Sequence, residues 1–153
     1  MADYEARIVW TREADAGEGG RYSRVHEWRF DGGAVVLASP SPHIVKPPYS
    51  DPAHVDPEEA FVASLSSCHM LFFLHLAQQA GFAVQSYDDT AVGRMGEIEN
   101  GEQAMTLVRL RPKVIYVGDA PPRDAEAALH KAAHHKCFIA NSVKTTIEVK
   151  PRR

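Results

Sequence analysis

Cysteine is scarce in this 153-residue chain, which has two, Cys68 and Cys137. With so few, the pair reads as reduced, redox-active or metal-binding groups rather than a structural staple. Neither sits in a Cys-x-x-Cys pair, and the zinc-binding His-Glu-x-x-His pattern is missing. Excess positive charge is also absent. The formal net charge is −3 and no basic stripe is present, so nucleic acid is not an expected partner. No apolar run approaches the ~20 residues of a membrane span. The longest, around Met70 to Leu76, is interrupted by His75, and no membrane association is expected. The opening Met1-Ala2-Asp3-Tyr4-Glu5 has neither the basic start nor the apolar stretch of a signal peptide, so the expected location is cytoplasmic. There are no internal repeats, no low-complexity tracts and no boundary signal. The expectation is a single domain over 1–153.

What the chain does have is a long apolar helix pattern from Asp56 onward. Asp56 suits an N-cap, Pro57 the first helical position, and Glu58 and Glu59 the positive end of the helix dipole. The acid three residues after the cap forms a capping-box pattern. Apolar and small residues continue to about Ala80, and Gly81 is a natural stop. Phe61, Leu65, Cys68, Phe72 and His75 recur at spacings of three and four and share a face. Ala63, Met70, Leu71, Phe73, Leu74 and Leu76 make the helix apolar nearly all round. A helix apolar on all sides is buried on all sides, and one small sheet covers only one side. A second subunit is therefore the expected cover.

Before this helix the pattern predicts strands at Tyr4–Thr11, Arg21–Phe30 and Ala34–Ala38, the last two joined by the Asp31-Gly32-Gly33 turn. On the second strand, Tyr22, Arg24, His26, Trp28 and Phe30 share the aromatic face, predicted to be the core face, whereas Arg21 has the opposite parity. Ser39 to Val55 contains five prolines, which rule out regular helix or central strand. After Gly81 come a strand from Ala83 to Val92, with a run that continues toward Glu97, an Asn100-Gly101 hairpin turn, and a long strand Gln103–Val117 with Pro112 at a bulge or edge. A second helix runs from Pro121-Pro122 to Lys136, with Ala125, Ala128, Leu129, Ala132 and Ala133 as its apolar stripe and Cys137 continuing that face. Val143–Val149 closes the chain as a strand. The order implies an α+β fold with largely antiparallel sheet packed on a long central helix.

Cys68 is either a core filler or a nucleophile, and a nucleophile must be a thiolate. Burial opposes the thiolate, so a reactive Cys68 needs a cation beside it. Arg24, carried on the aromatic face, is the candidate. A buried arginine in turn needs an anion, for which a thiolate or Glu58 would serve. Glu58 lies ten helical residues from Cys68, a rise of about 15 Å, so along one straight helix it cannot reach it. A kink or a partner subunit's helix must bring them together. Cys137 follows His134-His135-Lys136, whose positive character favours a thiolate. A zinc set of Cys68, His69, His134 or His135 and Cys137 is a weaker alternative, because neighbouring helical residues diverge. His43 and His54 read as surface residues.

Asp56-Pro57-Glu58-Glu59 with Ala63-Ser64-Leu65-Ser66-Ser67-Cys68 resembles the helix motif of the osmotically inducible protein C and organic hydroperoxide resistance family (OsmC/Ohr). Ala133-His134-His135-Lys136-Cys137 resembles its second-cysteine motif. Tyr22-Ser23-Arg24-Val25-His26 with Trp28, and Cys137-Phe138-Ile139-Ala140-Asn141-Ser142, look like the OsmC-like branch. The resemblance implies one OsmC-like domain, an intertwined homodimer with two interface sites, and a cysteine-based peroxidase acting on organic hydroperoxides in oxidative-stress defence. It implies that Cys68 is peroxidatic, that Cys137 resolves it as a disulfide, that Arg24 activates Cys68, and that Glu58 holds Arg24. No cofactor is implied beyond an external dithiol reductant of lipoyl or thioredoxin type. Apolar walls from Phe61, Leu65 and Phe72 would favour alkyl peroxides. The chain departs from the pattern at His69, where better-known members are apolar, and at Phe138-Ile139, where they carry a proline turn. A non-catalytic dimeric protein binding a small apolar ligand is the rival reading.

Overall fold

Gly33, at φ +89°, closes the turn that starts the fold. Its N–H donates to the Phe30 carbonyl (3.0 Å), and Asp31 Oδ1 accepts from the Gly32 N–H (2.8 Å). The turn joins β2 (His26–Phe30) to β3 (Val35–Ala38), and β1 (Ala6–Val9) pairs antiparallel with β2's other edge. The computed structural model describes residues 1–153 as two compact units, Met1–Ala60 and Phe61–Arg153. In the first, β2 starts at His26 rather than at the expected Arg21. Arg24 precedes the strand, its N–H donating to the Tyr49 carbonyl (3.0 Å), so strand parity does not decide where its side chain goes. Phe30, expected in the core, is 39% exposed.

The proline-rich stretch is irregular, as its composition requires, yet it is tied down. The N–H of Ser39 donates to the Val55 carbonyl (3.0 Å), and that of Val55 to the Leu37 carbonyl (3.1 Å). Buried Ser39 accepts from the Asp51 N–H (2.8 Å), and buried Ser50 donates to the Val45 carbonyl (2.5 Å). His54, expected at the surface, is half-buried beside Asp51 (3.6 Å).

Helix α1 (Pro57–Gln79) starts on the predicted capping box. Asp56 Oδ1 accepts from the Glu59 N–H (2.7 Å), and Glu59 Oε2 from the Asp56 N–H (3.2 Å). It ends as a Schellman motif: Gly81, at φ +87°, donates to the Gln78 carbonyl and Phe82 to the Ala77 carbonyl. By length and composition alone this helix could cross a bilayer, because it continues apolar beyond the interruption at His75 that argued against one. Here its line of Leu65, His69, Phe73 and Ala77 is buried in protein. That line, at strict spacing of four, differs from the expected face. His75 is exposed, and His69 takes an inward place. Leu71 is 61% exposed.

In the second unit, the strand expected from Ala83 to Val92 and beyond is two strands, β4 (Ala83–Asp89) and β5 (Val92–Glu97). The long strand Gln103–Val117 likewise divides at Arg111 into β6 (Gln103–Leu110) and β7 (Pro112–Val117). Both breaks fall at the same level of one hairpin, so β5 pairs with β6 and β4 with β7, all antiparallel. Pro112 opens β7, a place that needs no donated ladder bond. Asp89 sits at the break, its Oδ1 accepting from the Arg111 N–H (2.6 Å) and its Oδ2 from Ser66 Oγ on α1 (2.5 Å). Gly101, at φ +82°, makes the predicted hairpin turn. β8 (Thr146–Val149) lies parallel to β6, the one parallel pairing of full strands in an otherwise antiparallel α+β fold. One core cluster gathers Leu65, Val108 and Leu110; the other gathers Phe73, Ala77 and, from α2 (Arg123–Lys136), Ala133. The expected α2 stripe is corrected at two places: Ala128 is exposed, and His130 is buried.

Candidate active site

Cys68 lies half-buried in the middle of α1, and Cys137 is the buried C-cap of α2. Neither is in a disulfide, and the two thiols are neighbours. The Cys137 N–H donates to the Ala133 carbonyl (2.9 Å), which fixes its backbone. Its sulfur accepts from the Ala140 N–H at 3.4 Å, in the turn leading to a short 3-10 helix (Ala140–Ser142). Burial, then the contact with Cys68, push the Cys137 thiol up to about 11, against the opposing pull of the Ala140 N–H. Cys137 therefore keeps its proton at neutral pH.

Phe72 meets Phe138 edge to face (4.9 Å), and Phe138 is 71% exposed, so an aromatic pair next to the thiols faces solvent. Of the other predicted wall residues, Phe61 is half-buried and Leu65 is 1% exposed against Val108 and Leu110. Leu65 is core in the protomer.

The first unit holds the predicted arginine and carboxylate. Arg24 Nη1 donates to the carbonyls of Tyr22 (2.7 Å) and Gly20 (3.0 Å), and its guanidinium stands 3.9 Å over the Tyr22 ring. Arg21 is exposed and lines a cavity of about 400 Å³ with Glu13, Asp15, Tyr22 and Tyr49. Glu58 is half-buried, and its Oε2 is buried without a hydrogen-bond partner. Arg24 and Glu58 form no ion pair in the protomer: Arg24 is satisfied by carbonyls and aromatic rings, Glu58 by neither. No three His, Cys, Asp or Glu side chains converge as a metal site, so the zinc set is not assembled.

Sequence reasoning passed over His130 and gave His69 no role beyond a poor zinc ligand, yet both are buried in the core and paired. Spacing held the signal. His69 continues the Leu65–Phe73–Ala77 line, and His130 stands three and seven residues before Ala133 and Cys137.

Eight strands and two helices, with a cysteine at the middle of the first helix and another at the end of the second, define the OsmC/Ohr class of fold. Residues 50–152 match the family model for OsmC-like proteins. An OsmC-like protein of unknown function from Vibrio cholerae O1 biovar eltor is 46% identical and superposes with a TM-score of 0.95, over 99% of this chain and 100% of that one. The chain belongs to the OsmC-like protein family. More distant structures share the fold. An organic hydroperoxide resistance protein from Elizabethkingia anophelis is 20% identical (TM-score 0.71, 99% and 94% covered). One from Legionella pneumophila is 14% identical (TM-score 0.68, 99% and 97% covered). No curated protein matches the chain.

Proposed function

We propose that this protein is a cysteine-based peroxidase that reduces organic hydroperoxides in oxidative-stress defence. The observation that carries the reading is the pair of free thiols, Cys68 and Cys137, held as neighbours by two different helices. Family membership supports it, since related folds include organic hydroperoxide resistance proteins. The Cys68 thiolate attacks the hydroxyl-bearing oxygen of ROOH. The O–O bond breaks, the alkoxide takes a proton and leaves as ROH, and Cys68 becomes a sulfenic acid. Cys137 sulfur then attacks Cys68 sulfur, its proton and the sulfenic hydroxyl leave as water, and a disulfide forms. An external dithiol, of lipoyl or thioredoxin type, exchanges with that disulfide and restores both thiols.

In this reading the working unit is a cytoplasmic homodimer. A second subunit covers the exposed apolar side of α1 and brings Arg24 and Glu58 to bear on Cys68. The orphaned Glu58 Oε2 supports such a completion, because a buried carboxylate oxygen without a donor is costly. The proximity of the thiols favours this peroxidase over the non-catalytic ligand-binding reading. The test is peroxide consumption with a cumene-type hydroperoxide. Wild type gives a Cys68–Cys137 disulfide by mass spectrometry after one equivalent. Cys68→Ser loses activity by on the order of a thousandfold or more. Cys137→Ser consumes one equivalent and stops at the sulfenic acid. Undiminished consumption by Cys68→Ser sinks the proposal.

A further inference from the structure

The core of the second unit contains a polar contact that the thiol chemistry leaves unused. His69 on α1 and His130 on α2 are 1% and 3% exposed, with His69 Nε2 3.1 Å from His130 Nδ1. The rings are 7° from parallel with centroids 5.4 Å apart. That separation is too long for stacking at such an angle and matches two rings meeting end to end in one plane. One N–H points at the other ring's lone pair. The face of His130 is covered instead by Phe73, at 4.2 Å and 22°. The outer nitrogens, His69 Nδ1 and His130 Nε2, are buried without partners. Two neutral imidazoles suit this arrangement; charging either one adds an N–H where no acceptor exists.

The surrounding groups do not compensate. From α2 there is His134, whose charge would repel a protonated His69. From β4, Asp89 attracts the charged form, but its two oxygens already accept from Ser66 and the Arg111 N–H. Tyr87, also on β4, packs on Phe73 with its hydroxyl unpartnered, and Tyr116 on β7 donates to Glu126. These same helices carry the thiols: Cys68 precedes His69, while His130, Ala133 and Cys137 share one face of α2.

We propose that the His69–His130 hydrogen bond is an acid-labile clasp between α1 and α2, and that its protonation releases α2 and draws Cys137 away from Cys68. Its meaning for disulfide formation rests on the peroxidase reading, but the release itself does not. Burial holds both imidazoles down at about 4. Histidine freed from the clasp binds protons from about pH 6.5 downward. The clasp is therefore intact above that pH and weakens as the pH falls toward the clasped value, the open form gaining about tenfold per pH unit for each proton taken up.

The test is labelling of Cys137 in the full chain by a dipyridyl disulfide, which reacts with thiols in acid, read residue by residue by mass spectrometry against glutathione at the same pH. The expected result is a relative rate for Cys137 that climbs below pH 6.5 by about tenfold per pH unit for each histidine released, up to about a hundredfold when both take up a proton, while far-UV circular dichroism stays constant. In His69→Gln/His130→Asn, whose amides can hydrogen-bond but not titrate, the climb is absent. If that variant does not fold, NMR titration of the wild-type imidazoles decides. Rings neutral to well below pH 6 support the clasp, and rings titrating near 6.5 overturn it. A flat wild-type profile, the same climb in the double variant, or a climb that coincides with global unfolding also overturns it. Acid opening of the clasp in a protein that shows no peroxide turnover at neutral pH, where the clasp is closed, sinks the peroxidase reading and leaves the clasp standing.

Discussion

Gly93 shows how much one residue decides. It lies on β5 opposite Val108, and a Cβ placed there would run into Met105 Cε and, at 2.6 Å, Val62 Cγ2 on α1. The helix comes this close to the sheet only because β5 has no side chain at that point. Gly93→Ala is expected to destabilise the protein by about 1–3 kcal/mol, since Met105 can swing aside but the β-branched Val62 on a helix cannot easily do so. Urea denaturation measures it. An unchanged midpoint would mean that α1 can move off the sheet at no cost. The cysteines belong to the same scale: burial holds the proton on Cys137, and Cys68, half-buried beside it, is the thiol that a small molecule can approach.

At the scale of elements, α1 is delimited by its ends. The capping box at Asp56 and Glu59 and the Schellman motif at Gly81 satisfy backbone groups that an apolar helix could not satisfy by itself. Asp56→Ala should cost about 1 kcal/mol, and Asp56→Asn, which keeps an acceptor for the Glu59 N–H, distinctly less. Thermal melts of the two variants separate the cap from any other role of the carboxylate. The paired breaks at Thr90-Ala91 and Arg111 are a second element-scale device. They divide one long hairpin into two pairings, and Asp89 bonds the break to Ser66 on α1.

At the scale of the molecule, α1 is the element a single protomer leaves unfinished. It buries one narrow line, and Leu71 stays exposed on the remaining apolar surface. The proposed homodimer predicts a sedimentation coefficient for two chains at micromolar concentration. It also predicts that Leu71→Asp, by burying a charge in the interface, shifts the protein to monomer while the thiol pair within each protomer persists. Monomeric wild type would remove the proposed cover of α1 and the route by which Arg24 and Glu58 reach Cys68.

The sequence by itself determined the features written in local chemistry. The capping box, the glycine stops at Gly33, Gly81 and Gly101, the irregular proline segment and the two-cysteine pattern could all be read in advance, because each depends on a few neighbouring residues. Alternation alone could not tell that the strand before Phe30 starts at His26, or that the hairpin breaks at Arg111. Loop bonds such as Arg24 to Tyr49, and pairing across the hairpin, fix those points. Strand parity does not place Arg24 for the same reason: a parity argument holds only inside a strand, and β2 begins at His26. The core role of His69 and His130 is not legible in the sequence, because a histidine in a helix reads as polar, and only tertiary packing makes it a core residue. Sequence order cannot say that residues 61 positions apart meet end to end. The tertiary structure alone decided that the two cysteines lie within reach of one another and that a buried histidine pair joins the helices that hold them, because burial and long-range contact set both.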